Sequence, residues 1–364
     1  MSYERDNIRR MRGYTWGEQP EDADTIKLNT NENPYPPSPR VQQALDGLRT
    51  EVLRTYPQPT AEPLRRRLAD LHGLAPEHVL VTHGGDEGLR LAMTTFVDPG
   101  ATFAMADPSY SLYPVLAAVQ DARVFTVPLD EAWRLPGDAA ERLNGAGARL
   151  TCVVNPHAPS GVLTPADDIE RLAEALDGVL LVDEAYVDFV DPERQHDLTP
   201  LVRRHANLLL LRTFSKGYSL AGLRLGYLLG HPGLIEPMLT KTRDSYNVDA
   251  ISQALGDAAA ADQDYARRTW DAVRTARAAL AGGLAQLGIA SVPSESNFLL
   301  AKIPPAAGIT ARDLYQRLKD GGILVRYFAA PRLDDCLRIS VGTPEQNQRL
   351  IEAVTEAIHD RATD

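Results

Sequence analysis

The sequence predicts an α/β protein with a large unit, built on a mostly parallel sheet covered by helices, and a smaller α+β unit. Three observations carry this. Short, continuous apolar runs alternate with helical stretches, the pattern of strands buried on both faces. Glycine or proline punctuates most of these runs, as in "HVLVTHGG" and "TFAMADP". After about residue 232 the pattern turns helical and then mixes strands with helices to the C-terminus.

Residues 1–40 are polar and proline-rich ("NTNENPYPPSP") and read as an arm that packs with the smaller unit. Residues 41–255 then form the large domain and residues 256–364 the small one, a division that 364 residues can support. "HVLVTHGGDEGLRLAMTTFVDPG" is a strand, a tight glycine turn, and a helix from about Asp86. "ATFAMADPSYSLYPVLAAV" repeats the pattern, "ARVFTVPL" adds a strand, and "RLTCVVNP" another. A helix then opens with Thr164 as N-cap and Pro165 at the first helical position. "VLLVDEAYVDF", "NLLLLRTF" and "LRLGYLLG" complete a seven-stranded sheet. Beyond a helical stretch through "DYARRTWDAVRTARAALAGGLAQLG", strands are expected at "NFLLAKI", "GILVR" and "CLRISVGT", with helices around 309–320 and 344–359.

A net charge of -11 argues against nucleic acid or anionic membranes as partners. Cys152 and Cys336 make neither a disulfide framework nor a metal cluster, and no metal site is expected. The polar N-terminus and the lack of a long apolar run point to a cytoplasmic protein.

Ligands of open α/β sheets bind beyond the carboxyl ends of the strands, so the residues there are the candidates. They are Gly84-Gly85-Asp86-Glu87, Pro108-Ser109-Tyr110, Asn155-Pro156-His157-Ala158, Asp183-Glu184-Ala185-Tyr186 and Ser215-Lys216. Neither a G-x-G-x-x-G nor a G-x-x-x-x-G-K-[ST] pattern follows a strand, which disfavours dinucleotide and P-loop functions. A strand-end lysine instead suits Schiff-base chemistry with a carbonyl cofactor. Lys216 is the best placed of only five lysines. Asp183 closes an apolar run, where a carboxylate is costly unless a cation such as a protonated pyridine nitrogen meets it. The glycine turn opens a helix whose N-terminus suits a phosphate, and Ser215 and Arg224 can complete the cup. Tyr110 offers a ring to stack on the cofactor, and Tyr186 a hydroxyl for its phenolic oxygen.

On these residues the chain resembles the fold-type I pyridoxal-phosphate aminotransferases, most closely the histidinol-phosphate branch. Thr213–Gly222 matches the class II lysine signature. "LNTNENPYPPS", "VTHGGDEGL", "DEAYVDF" and "CLRISVGTPEQN" resemble the arm, phosphate turn, aspartate strand and arginine strand of that family, in order. The resemblance implies an aspartate aminotransferase-like fold and a homodimer with shared active sites. It implies pyridoxal 5'-phosphate held by Gly85, Asp86, Glu87, Tyr110, Asp183, Tyr186, Ser215, Lys216 and Arg224, with Tyr56 reaching the partner's phosphate. Lys216, Asp183 and Tyr186 are its catalytic set. Tyr14, Asn33, Asn297, Arg326 and Arg338 match substrate-side positions. The implied reaction, part of histidine biosynthesis, moves an amino group between histidinol phosphate and 2-oxoglutarate. Aromatic amino acid transamination and a threonine-phosphate decarboxylase-like lyase remain alternatives on the same scaffold. A non-catalytic, cofactor-binding regulatory domain is disfavoured, since there is no basic face for DNA.

One position departs from the family pattern. Ala158 stands where an asparagine usually donates to the cofactor's phenolic oxygen, leaving Tyr186, a water or His157 to serve. Loss of that donor predicts a raised pH midpoint for the bound cofactor's visible band. Titrating that band against an Ala158→Asn variant tests this: the added donor should lower the midpoint, and an unchanged midpoint refutes it.

Overall fold

The computed structural model describes residues 2–20 and 22–359. In chain order the strands are β1 (Ile26–Lys27), β2 (Val79–Thr82), β3 (Thr102–Asp107), β4 (Arg123–Pro128), β5 (Ala148–Val154), β6 (Val179–Asp183), β7 (Leu208–Thr213) and β8 (Gly226–Gly230). They continue with β9 (Ala290–Ser291), β10 (Phe298–Lys302), β11 (Ile323–Leu324), β12 (Arg326–Tyr327) and β13 (Cys336–Ser340). Seven of them form one sheet in the order β2-β8-β7-β6-β5-β3-β4. Every neighbouring pair is parallel except the two that flank β8.

The continuous apolar runs are explained by the two layers that sandwich this sheet. In β7, Leu208 and Leu210 enter one core while Leu209 and Leu211 enter the other, and all four are buried. Side chains alternate across a strand, so a strand covered on both faces needs apolar residues at every position. Burying each leucine contributes about 1.5–3 kcal/mol. The chain steps outward from β3 to β4, then returns to β5 on the other side of β3 before running on through β6 and β7. That reversal opens a crevice beyond the carboxyl ends of β3 and β5.

A second, antiparallel sheet runs β12-β13-β10-β9, and β1 of the arm pairs in parallel with β11. "GILVR" was expected as one strand; it is two, because Val325 separates β11, which serves the arm, from β12, which serves β13. The returning strand begins at Gly226, later than "LRLGYLLG" suggests, because Arg224 takes a left-handed turn at φ 57°. The helix expected from about Asp86 already starts at Gly84. Thr164 does not cap the next helix, Ala166–Ala175: its backbone is held on both sides by the Asn155 amide, and the Pro165 carbonyl accepts the first helical bonds. Past residue 232 the helical stretch is broken into Pro232–Pro237, Ala250–Ala260 and Gln263–Gln286. Asp249 and Asp262 cap the last two by accepting from Ser252 and Tyr265 N–H groups.

Candidate active site

A cavity of about 750 Å³ opens at the carboxyl edge of the large sheet, and residues of the arm and of the second sheet also line it. Its lining contains Gly85, Asp86, Tyr110, Asp183, Tyr186, Ser215, Lys216, Arg224, Tyr14, Arg326 and Arg338. Eleven of the fifteen residues singled out from the sequence therefore meet in one place.

One end of the cavity is built by two glycine-dependent turns. The helix Gly84–Phe96 starts there, and its first N–H groups lack intrahelical acceptors. Arg224 reaches across, donating to Ser215 Oγ at 3.4 Å and to Asp86 Oδ2 at 3.2 Å. Gly226 makes this approach possible: a Cβ there would sit 2.8 Å from the Gly84 carbonyl carbon and 2.9 Å from the Gly85 nitrogen. Gly226→Ala is expected to push the two turns apart. The cost should be about 1–3 kcal/mol of stability and about a tenfold loss of phosphate-group affinity. Urea unfolding and cofactor titration read the two; unchanged values refute the close-approach reading.

In the middle stand Lys216, Asp183 and Tyr186. Lys216 Nζ donates to the Thr30 carbonyl of the arm at 2.6 Å. Burial pushes its amine down to about 8; Glu32 opposes this, while Arg338 and Arg224 reinforce it. Asp183 is 5% exposed, and burial raises its carboxyl to about 6 even though Tyr113 Oη donates to Oδ2 at 2.8 Å and the Ala185 N–H to Oδ1 at 3.1 Å. Such a carboxylate calls for a cation, and among the described residues none figures among the main influences on it. Tyr110 stands edge-on to both Tyr113 and Tyr14, with ring centroids 5.5 and 6.0 Å apart. An aldehyde-bearing pyridine with a phosphate arm fits this donor set. It would use an amine, an unneutralised carboxylate, an aromatic wall, and an anion cup formed by Ser215, Arg224 and the helix start.

The far end is cationic. Arg326 and Arg338 are cross-strand partners on β12 and β13, and both face Phe328, at 5.5 and 5.4 Å from its ring centroid. Arg338 donates to the Asn29 carbonyl at 3.0 Å, but its buried Nε has no partner. Arg326 touches the Trp16 carbonyl at 3.4 Å. Two guanidinium groups suit a dianionic or carboxylate terminus.

Four expected residues do not line the cavity. Glu87 turns back one helical turn, accepting from the His83 N–H at 2.5 Å and from Asn247 at 2.9 Å, so its carboxylate secures the helix start. Asn33 donates to the Gly217 carbonyl and accepts from the Tyr35 N–H, holding the arm to the lysine loop. Asn297 supports the arm from below, donating to the Asn31 carbonyl at 2.9 Å. Tyr56 is 79% exposed and stacks on Tyr246 with centroids 4.4 Å apart.

Ala158 lines the cavity, and His157 cannot replace the missing donor. Its two ring nitrogens are already engaged, with Ser160 Oγ at 2.7 Å and the Pro108 carbonyl at 2.9 Å. Burial also lowers its imidazole to about 4, so it is neutral. Asn31 and Tyr113 are contributors that the sequence reading missed. The spacing of Tyr113, three residues after Tyr110 at a helix start, is the signal that could have found it.

Residues 23–354 match the family model for class I and II aminotransferases. The chain is 42% identical to histidinol-phosphate aminotransferase 1 of Nostoc sp., over 99% of each chain. It is likewise 42% identical to the histidinol-phosphate aminotransferase of Geotalea daltonii, over 97% of this chain and 98% of that one. Among solved structures, the histidinol-phosphate aminotransferase of Sinorhizobium meliloti in complex with pyridoxal-5'-phosphate superposes with a TM-score of 0.90. It is 27% identical and covers 99% of this chain and 98% of that one. With a family match over nearly its whole length and a lysine-centred cavity of the matching kind, the chain belongs to the class I and II aminotransferases.

Proposed function

We propose that the protein is a pyridoxal-phosphate-dependent transaminase of histidine biosynthesis, moving an amino group between histidinol phosphate and 2-oxoglutarate. The observation that carries the substrate class is the Arg326–Arg338 pair: both line the lysine-bearing cavity, and the buried Arg338 Nε has no partner. The same pair can receive the phosphate of one substrate and a carboxylate of the other in turn. Its double charge favours a phosphate dianion over a single carboxylate, which supports this reading over aromatic transamination. The relatives' names point the same way.

The cofactor, when bound, supplies an electron sink for the pair left on the substrate Cα. Lys216 would carry its aldehyde, Asp183 would take the pyridine nitrogen, and Gly85, Asp86, Ser215 and Arg224 would hold its phosphate. Tyr110 would wall its ring and Tyr186 would donate to its phenolic oxygen. Freed from the aldehyde, Lys216 Nζ would take the proton from the substrate Cα and hand it to the carbon that had carried the aldehyde, the shift that transfers the amino group. An amine lowered to about 8 is unprotonated often enough near neutral pH to do so. Arg338 and Arg326 anchor the far end, so that Cα is presented to that amine.

A homodimer belongs to the same proposal. Tyr56 projects from the surface beside Tyr246, in keeping with a reach into a partner's phosphate site. The proposed division at residues 40 and 255 is supported by the strands: the seven-stranded sheet spans 79–230 and the four-stranded sheet 290–340. A cytoplasmic setting fits two free, buried cysteines, and no described helix is long and apolar enough to cross a membrane.

One assay panel tests the reading: histidinol phosphate, phenylalanine and threonine phosphate, each with 2-oxoglutarate. Glutamate formation fastest from the first supports it. Preference for phenylalanine, or carbon dioxide release from threonine phosphate, overturns it.

A further inference from the structure

Asn31, in the arm, sits at the meeting point of three parts of the fold, and every polar group reported for it is engaged. Its backbone N–H donates to Ser340 Oγ of β13 at 2.8 Å. Its carbonyl accepts from Asn297 at 2.9 Å. Ser340 Oγ lies 2.9 Å from one side-chain atom of Asn31, and Tyr186 Oη lies 3.0 Å from the other. Hydrogen-bond logic orients the amide. Ser340 Oγ donates its proton to Oδ1 while its oxygen accepts the Asn31 N–H. The other atom is therefore Nδ2, a donor, and Tyr186 Oη must accept. The single Tyr186 proton is then directed away from the arm, toward the cavity that this ring lines.

We propose that Asn31 is a positioning residue: through the Ser340–Asn31–Tyr186 chain it fixes the tyrosine proton on the cofactor's phenolic oxygen, in a site whose usual second donor is an alanine. This rests on the cofactor reading above. Two features support it. Asn31 is left-handed at φ 58°, a conformation that asparagine tolerates better than most residues, so both the turn and the amide call for this side chain. Burial raises the Tyr186 phenol above its ordinary value, so the proton stays on the oxygen and only its direction is adjustable. The charged and titratable groups around Tyr186 are Arg338, Asp183, Tyr14 and Tyr110, and the variants below leave all of them in place. Because Ser340 and Asn297 belong to the second sheet and its approach, the donor is aimed only when the arm and that sheet are docked together.

The test is the pH midpoint of the visible absorbance of the enzyme loaded with pyridoxal phosphate. Asn31→Ala frees the tyrosine proton, and Asn31→Asp, nearly the same shape, can only accept and draws that proton toward itself. Both should raise the midpoint by about 0.5–1 pH unit, the worth of one hydrogen bond. Ser340→Ala, which no longer orients the amide, should shift it the same way by less. In a Tyr186→Phe background the Asn31→Ala shift should vanish. An unchanged midpoint in the charge-neutral Asn31→Ala variant, or an equal shift in the Tyr186→Phe background, overturns the proposal while leaving the cofactor reading intact. Absence of any visible band in the unsubstituted enzyme overturns the cofactor reading, and this inference with it.

Discussion

Lys216→Ala is expected to lower kcat by about 10³–10⁴-fold and to remove the visible absorbance that the cofactor owes to its link with the lysine. The fold should survive. Lys216 makes one reported hydrogen bond, to the Thr30 carbonyl, and the loop around it is held by other groups. The Gly217 carbonyl accepts from Asn33 and from the Trp270 indole, and the Ser215 N–H donates to Thr213 Oγ1. Burial also disfavours the charged amine, so removing it relieves a desolvation cost rather than breaking an ion pair. Loss of turnover with an unchanged urea midpoint therefore isolates a chemical role. Added small primary amines should restore a fraction of the activity by taking the proton at Cα in place of Nζ. Full activity in the variant would refute the assignment, and equal loss of stability and activity would make the lysine structural.

How much of this site could be read from the sequence depends on how local each cause is. Lys216, Asp183, Ser215 and Tyr110 sit at or just beyond strand ends, and the direction of a strand fixes where its last side chains emerge. Such residues are legible because a continuous apolar run announces its own end. Glu87 shows the limit of the same logic. It follows Gly85 and Asp86 in sequence, yet one more step around the helix turns its carboxylate back onto the His83 N–H. Proximity in sequence places a residue near a site without aiming it. Asn31 was invisible for a different reason: its hydrogen bonds run to Tyr186, Asn297 and Ser340, more than 150 residues away, and nothing in "NTNENP" says which asparagine will meet them. Ala158 was readable as a departure, but whether His157 could replace the lost donor was not. That depended on the Pro108 carbonyl and Ser160 hydroxyl taking both ring nitrogens.

Asp183→Asn should move stability and activity in opposite directions, and pH separates the two. Burial lifts the Asp183 carboxyl from 3.8 to about 6 in the cofactor-free protein. A carboxyl raised on folding makes its stabilising contribution below its unfolded value and loses it as pH rises through the folded one. Above about pH 6 the ionised, buried group costs the fold about 3 kcal/mol, at roughly 1.4 kcal/mol per pH unit. Asparagine removes that cost with little change of shape. Its Oδ1 can still accept from the Ala185 N–H, and the Tyr113 hydroxyl can turn to accept from Nδ2. The cofactor-free variant should thus resist urea better than the parent at pH 7.5, and the gain should shrink to nothing near pH 4. Catalysis should suffer. A neutral amide cannot balance a protonated pyridine nitrogen, and leaving one member of a buried charge pair unmatched costs about 3–5 kcal/mol, or about 10²–10⁴-fold in kcat. The parent protein is then least comfortable where its cofactor would bind. Loading with pyridoxal phosphate should stabilise the parent more than the variant at pH 7.5. Equal gains in the two, or a urea advantage that persists at pH 4, would show that Asp183 is not the counter-charge of the site.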